Sequence, residues 1–233
     1  MIAVEGLNKL YGAVHAVHDL SFDVKPGEIL GLVGPNGAGK TTTLRIISGI
    51  LPATSGRVAI GGFDLESRAV DAKALLAYVP DMAKPFENLT VMEHLRFTAA
   101  LYRVPDPDAR AQRLIEEFEL TGKKDTPGGE LSHGMTQKLA VCCAYLHDPK
   151  AIFLDEPLTG LDPRAIRTMI DSIRARAAAG AAVILSSHLL EMVERVCSRV
   201  LIVHKGRRVA HGTVDEVRKD ATLEQVFLEA TQE

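Results

Sequence analysis

Residues 34–41 read Gly34-Pro35-Asn36-Gly37-Ala38-Gly39-Lys40-Thr41, with Thr42 next, between the apolar run ILGLV at residues 29–33 and a helical pattern beginning at Lys40. A glycine-rich turn that joins a strand to a helix is an arrangement that holds a triphosphate. Gly34, Gly37 and Gly39 let the chain curl so that successive backbone N–H groups point inward at phosphate oxygens, and the helix adds the positive end of its dipole. Lys40 would then reach the β- and γ-phosphates, and the Thr41 hydroxyl would bind Mg²⁺. The alternative is a plain αβ turn with a surface lysine; the strand before and the helix after weigh against it.

The 233 residues, 46% of them hydrophobic, suffice for one large domain or for one domain with an inserted subdomain. Lys plus Arg number 27 against 30 for Asp plus Glu, so there is no general basic field and nucleic acid is not expected as a main ligand. Apolar stretches such as residues 181–185 fall far short of the roughly 20 residues that cross a bilayer. With no basic-then-apolar signal at the N-terminus, the chain on its own is expected to stay in the cytosol. Cys142, Cys143 and Cys197 fall in segments that read as helices and lack metal-ligand spacing, so buried structural thiols in a reducing compartment are expected.

The first stretch reads as strands at residues 2–7 and 14–24, a turn at Pro26-Gly27-Glu28, and the strand into the phosphate loop. This predicts an antiparallel edge feeding a parallel core. A helix to about Ile50, a turn at 52–56 and strands near 57–60 and 76–79 follow. From Asp81 to Asp148 the pattern is helical, with Val91, Leu95, Ala99 and Tyr102 on one stripe and Ala111, Leu114, Ile115 and Phe118 on another. Pro85, Pro105, Pro107 and Pro127-Gly128-Gly129 mark its joints. The αβ alternation then resumes with a strand at 151–154, a helix at 163–178, a strand at 182–185 and a helix at 189–196. A hairpin around Lys205-Gly206 and short helical segments from Val214 onward close the chain. The predicted organisation is an α/β core made of residues 1–80 and 149–233, with a helical subdomain, residues 81–148, inserted into it.

Residues 151–157, AIFLDEP, form an apolar strand that stops on two acids, with consecutive carboxylates expected on opposite sides of its C-terminal end. In open αβ sheets ligands sit at that end. Asp155 would hold Mg²⁺, directly or through water, and Glu156 would polarise the attacking water. The alternative is a solvated acidic turn. A second strand runs into Ser186-Ser187-His188, where His188 either contacts the γ-phosphate and the water or caps a helix. Asp162 precedes Pro163 and reads as a helix N-cap. Ser132 opens a helix in the same way, and a capped helix N-terminus is itself an anion site.

Taken together, Tyr11, GPNGAGKT, LSHGM at 131–135, FLDEP, TGLD at 159–162 and His188 resemble the nucleotide-binding subunit of ATP-binding cassette (ABC) transporters, over essentially the whole chain. The resemblance implies a P-loop NTPase core of RecA-like type with an N-terminal antiparallel β edge and an inserted α-helical subdomain, an ATPase activity, and ATP with Mg²⁺. It implies two copies, or this chain and a sister ATPase, stacked head to tail. ATP on residues 34–42 of one subunit is then covered by Ser132, His133, Gly134 and Met135 of the other, with Asp162 at the seam. Tyr11 matches the aromatic that stacks on adenine, its alternative being a core or edge-strand tyrosine. A separately encoded integral-membrane permease is the further partner, which puts the chain peripherally on the cytoplasmic face of the cell membrane. The segment 85–102, with Phe86, Leu89 and Val91, is where that permease is expected to dock, ordinary helix packing being the alternative.

The sequence departs from the common pattern twice. Asp81 stands where many members have glutamine; it can accept from a metal-bound water but cannot donate as an amide does. The signature reads LSHGM in place of LSGGQ, so His133 adds a ring and Met135 removes a hydrogen-bonding amide. Both departures resemble the exporter subgroup; importers more often keep the glutamine and LSGGQ. A soluble clamp on ribosome or nucleic acid is a second reading, but two cassettes, a coiled-coil insertion or a basic arm would be expected of it and none is present. A binder that holds ATP without hydrolysis does not fit Glu156 and His188.

Overall fold

A computed structural model describes residues 1–219 and 221–231. Strands β1 (Ile2–Tyr11) and β2 (Val14–Val24) form an antiparallel hairpin in which Tyr11 pairs with Val14. Strand β1 therefore runs past residue 7, and Tyr11 sits at its end. Strand β3 (Ile29–Val33) is buried throughout, as its unbroken apolar run predicts, and leads through the glycine loop into α1 (Lys40–Ile47). The helix stops at Ile47, short of Ile50, because Gly49 takes a left-handed φ of 70°.

Next come β4 (Ser55–Ile60), β5 (Phe63–Asp64), α2 (Ala69–Ala74) and β6 (Leu76–Val79). The sequence pattern leaves β5 and α2 unassigned, since elements of two and six residues are too short to show a period. Between β6 and the next strand stand α3 (Val91–Tyr102), α4 (Pro107–Glu117) and α5 (His133–Tyr145). A capping box between Thr90 and Glu93 starts α3, and Val91, Leu95 and Ala99 are buried as the stripe predicts. Tyr102 departs from the stripe: it is 42% exposed, with its ring stacked on His147 at 3.8 Å. Arg103 turns left-handed and ends the helix there, so no further turn covers the ring.

Strand β7 (Ala151–Asp155), α6 (Pro163–Ala178), β8 (Ala182–Ser187), α7 (Leu190–Val196), β9 (Arg199–His204), β10 (Arg207–Thr213), α8 (Val214–Arg218) and α9 (Leu223–Thr231) complete the described residues. Cys197 lies just past α7 in extended backbone, not inside a helix. Burial pushes the Cys143 thiol up to about 11 and that of Cys197 to about 12, which keeps them protonated and unreactive.

The strands form two sheets, a four-stranded one in the order β2-β1-β4-β5 and a six-stranded one in the order β10-β9-β3-β8-β7-β6. The first is antiparallel; in the second, β9, β3, β8, β7 and β6 run parallel and β10 pairs antiparallel at the edge. Alternate residues of β3 serve opposite faces. Leu30 and Leu32 pack with Leu44, Ile47 and the hairpin residues Leu20 and Phe22, whereas Ile29 and Val33 belong with Val183, Leu185, Leu95 and Phe118. The helices between β6 and β7 thus share one continuous apolar cluster with the sheet. This stacking brings the C-terminal ends of β3, β7 and β8 side by side.

Candidate active site

The phosphate loop is pinned by two backbone approaches that exclude any side chain. A Cβ on Gly39, where φ is 99°, would lie 2.3 Å from the Ala16 carbonyl oxygen; one on Gly34 would lie 2.4 Å from that of Val203. The loop is therefore held between β2 and β9, and the Gly206 N–H donates to the Ala38 carbonyl at 3.1 Å. Lys40, only 6% exposed, folds back over it. Its ammonium donates to the carbonyls of Gly34 at 2.7 Å and Pro35 at 3.3 Å, the partners a buried charge requires. Thr41 and Thr42 are half-buried on the first turn of α1, while Asn36 and Gly37 face solvent.

Strand β7 delivers Asp155, 1% exposed, between three hydroxyls. Its Oδ1 accepts from Ser186 Oγ at 2.7 Å and Thr41 Oγ1 at 3.2 Å, and its Oδ2 accepts from the Tyr78 hydroxyl at 3.3 Å. Burial, and then the Asp155 charge, pushes the Tyr78 phenol up to about 12, so it stays a donor. The expected opposition of the two carboxylates does not hold. Glu156 takes a left-handed φ of 48°, which breaks the strand alternation and turns its side chain toward the loop. Its Oε1 lies 3.7 Å from Lys40 Nζ and its Oε2 lies 2.9 Å from His188 Nδ1. Ser187 Oγ accepts from the Leu189 N–H ahead of α7, so His188 is free of the capping role and its ring addresses Glu156. Asp81 lies in the same field: burial, then the charges of Asp155 and Glu156, raise its carboxyl above the ordinary value.

The donor set suits Mg²⁺. Among the described residues no cluster of three or more His, Cys, Asp or Glu side chains could cage a metal. Mg²⁺, however, is usually held by one or two carboxylates together with substrate phosphates and water. Thr41 and Asp155, all-oxygen and beside the loop, meet that requirement.

The other predicted residues lie around this centre. Ser132 caps α5, its Oγ accepting from the Met135 N–H at 3.4 Å. The His133 ring turns toward its own chain, with Nε2 3.4 Å from the Thr159 carbonyl oxygen, and Gly134 packs beside Leu161. Asp162 caps α6 as predicted, accepting from the N–H groups of Arg164 and Ala165, both at 2.9 Å. Tyr11 is not a core residue: it is 46% exposed, with the Lys9 ammonium 5.1 Å from its ring centroid. Sequence reasoning missed Tyr78, Ser186 and Thr159, whose hydroxyls all reach the two acids. Only the polar end of the strand before His188 hinted at one of them.

The family model for ABC transporter matches residues 17–159. The ABC-type transporter ATP-binding protein EcsA of Bacillus subtilis is 34% identical, the match covering 100% of this chain and 97% of that protein. The Nod factor export ATP-binding protein I of Burkholderia pseudomallei is 38% identical over 91% of this chain and 70% of its own length. A solved structure of an ATP-binding subunit of an ABC transporter superimposes with a TM-score of 0.93 at 34% identity, covering 99% of both chains. The chain belongs to the ABC transporter family, as an ATP-binding subunit that hydrolyses ATP with Mg²⁺ as cofactor.

Proposed function

We propose that the chain works in a head-to-tail pair, with a second copy or a sister ATPase, and that the pair drives export through a separately encoded membrane permease. The observation that carries this reading is the convergence of Lys40, Thr41, Asp155, Glu156 and His188 at the ends of β3, β7 and β8. In it, the amides of residues 34–42 and Lys40 bind the phosphates, and Tyr11 stacks on the adenine. Thr41 and Asp155 would hold Mg²⁺, with the Asp81 carboxylate close by as a further acceptor. Bound there, the ion would offset negative charge on the phosphates. Glu156 accepts a proton from the attacking water, and His188 holds the carboxylate at the angle that does so.

The loop leaves one side of the nucleotide open, so a partner's Ser132, His133, Gly134 and Met135 close it, with Asp162 at the seam. That closure excludes water and adds donors where charge develops. The residues Val79-Pro80-Asp81 and LSHGM, together with a relative named for Nod factor export, support export over import.

No helix among the described residues is long and apolar enough to cross a membrane. Peripheral attachment to the cytoplasmic face is proposed through the permease, at the surface carrying Phe86, 58% exposed, and Leu101, 66% exposed; of the residues expected there, Val91 is instead fully buried in the core. The test is purification of tagged Glu156→Gln chain from detergent-solubilised membranes with ATP, followed by mass spectrometry. A stoichiometric multi-spanning partner is the expected result; recovery with ribosomes or DNA proteins, or without any membrane partner, would overturn the reading.

A further inference from the structure

The hydroxyl of Ser186 makes two bonds of opposite sense. It donates to Asp155 Oδ1 at 2.7 Å and accepts from the Glu156 backbone N–H at 2.9 Å. Because Ser186 pairs with Asp155 across β7 and β8 and is 0% exposed, no solvent competes for either bond. The amide occupies a lone pair of the oxygen, so the single hydroxyl proton is aimed at the carboxylate. One side chain therefore fixes the rotamer of the first acid and the backbone of the second.

The second bond matters because of where Glu156 sits. A left-handed φ of 48° is unfavourable for a glutamate and persists only where the surroundings determine it. That conformation carries Glu156 out of the strand alternation and to His188 and Lys40. Without the Ser186 oxygen, the Glu156 N–H would lose its acceptor and Asp155 would lose its shortest donor.

We propose that Ser186 is a positioning residue for hydrolysis, coupling the Mg²⁺-side carboxylate Asp155 to the backbone that aims Glu156. This rests on the reading in which Asp155 holds the metal and Glu156 accepts the proton. It separates Ser186 from the adjacent Ser187, whose hydroxyl reaches neither acid and accepts from the Leu189 N–H at 3.0 Å.

The test compares Ser186→Ala and the nearly volume-matched Ser186→Cys with the unaltered chain, after thermal unfolding has established that each is folded. Steady-state kinetics give kcat and KM for ATP. Binding of the fluorescent analogue TNP-ATP in EDTA reports nucleotide affinity without metal, and Mn²⁺ binding with ADP, followed by electron paramagnetic resonance, reports the metal. Loss of a group that orients a ligand-bearing side chain typically lowers metal affinity or activity by about 10–100-fold. The expected result is a fall of that order in kcat and weaker Mn²⁺ binding, with KM and TNP-ATP affinity within about twofold of the starting values.

A folded cysteine variant with unchanged kcat and Mn²⁺ affinity overturns the proposal, as does a loss that merely follows weaker TNP-ATP binding. Should neither variant fold, Ser186→Thr decides, because it keeps the hydroxyl: activity within threefold supports the assignment, and a folded threonine chain tenfold down refutes it. Glu156→Gln run alongside tells the two failures apart. Full turnover in that variant would sink the underlying reading, whereas its loss beside unaffected Ser186 variants would sink this inference alone.

Discussion

His188 Nδ1 lies 2.9 Å from Glu156 Oε2, while the other oxygen of the same carboxylate faces Lys40 at 3.7 Å. Glu156 is thus held from two sides, by a ring at the end of β8 and by the loop lysine. Replacing it with glutamine keeps the shape and removes the base, so turnover is expected to fall by about 10²–10⁴ while ATP still binds. His188→Ala removes the nearest partner of the carboxylate and leaves only the looser contacts from Lys40 and the Thr159 hydroxyl, so kcat is expected to drop at least about tenfold with KM little changed. Steady-state phosphate release checks both, and a His188→Ala chain with full kcat would remove the histidine from this role.

Lys40 donates to the Gly34 and Pro35 carbonyls of its own loop, which holds its ammonium where it would meet phosphate oxygens in the proposed complex. A hydrogen bond to a charged group contributes about 1.5–3 kcal/mol, or roughly ten- to hundredfold in affinity. Lys40→Ala is expected to weaken ATP binding by that amount, measured by titration calorimetry. Affinity within twofold of the unaltered chain would argue that the loop amides alone hold the phosphates.

The parts of the site that the sequence exposed are those with a local signature. Gly39 and Lys40 announce themselves because the loop needs residues without a Cβ in fixed places, and Asp155 because an apolar strand ends on it. Ser186 and Tyr78 were hidden because their partners lie 31 and 77 residues away, a pairing created only by the parallel register of β6, β7 and β8. The convergence of Asp155 and Glu156 departs from the sequence pattern for a related reason: alternation along a strand holds only while φ stays extended, and Glu156 leaves that region. Helix α3 is legible from its apolar stripe, whereas the capping box of Thr90 and Glu93 goes unread and its last aromatic, Tyr102, depends on His147, which no period encodes.

Leu95 is fully buried on α3 and belongs to the cluster that also holds Val183 and Leu185 of the sheet. Leu95→Ala is expected to cost about 2–5 kcal/mol, from lost burial and the cavity left behind. Because the cluster is continuous, the loss should appear as an earlier single urea transition followed by both far-ultraviolet circular dichroism and tyrosine fluorescence. Two separated transitions would instead mean that the helices between β6 and β7 unfold apart from the sheet.

Phe86 is held out toward solvent by a buried ring beneath it. His94, 6% exposed, accepts the Phe86 N–H through Nε2 at 2.9 Å, and its Nδ1 donates to the Thr90 carbonyl at 2.7 Å. Phe97 meets the Phe86 ring edge-on at 5.7 Å. Phe86→Asp is expected to abolish transport in reconstituted vesicles and to leave basal ATP hydrolysis of the isolated chain within about twofold, since surface substitutions seldom disturb the fold. Loss of both activities, or of neither, would argue against docking at this ring.

Asp81 gives a pH-dependent test of the crowded acids. Its carboxyl is raised above 3.8 by burial first and then by Asp155 and Glu156, so the folded chain binds that proton more tightly than the unfolded chain does. Stability is therefore lost as pH rises from the unfolded value through the raised folded value, and the loss persists above it. Asparagine carries no such proton and, as an amide, can also donate. The Asp81→Asn chain should accordingly unfold at a higher temperature than the unaltered chain at about pH 7, with the gap narrowing toward about pH 4 as Asp81 becomes protonated. Although the atoms around it remove part of its water, the Asp81 side chain stays largely open to solvent, so added salt should shrink the gap as well. Thermal melts across this range decide the matter: a gap that ignores pH, or an asparagine chain that melts lower at neutral pH, would mean that neither desolvation nor repulsion from Asp155 and Glu156 governs this position.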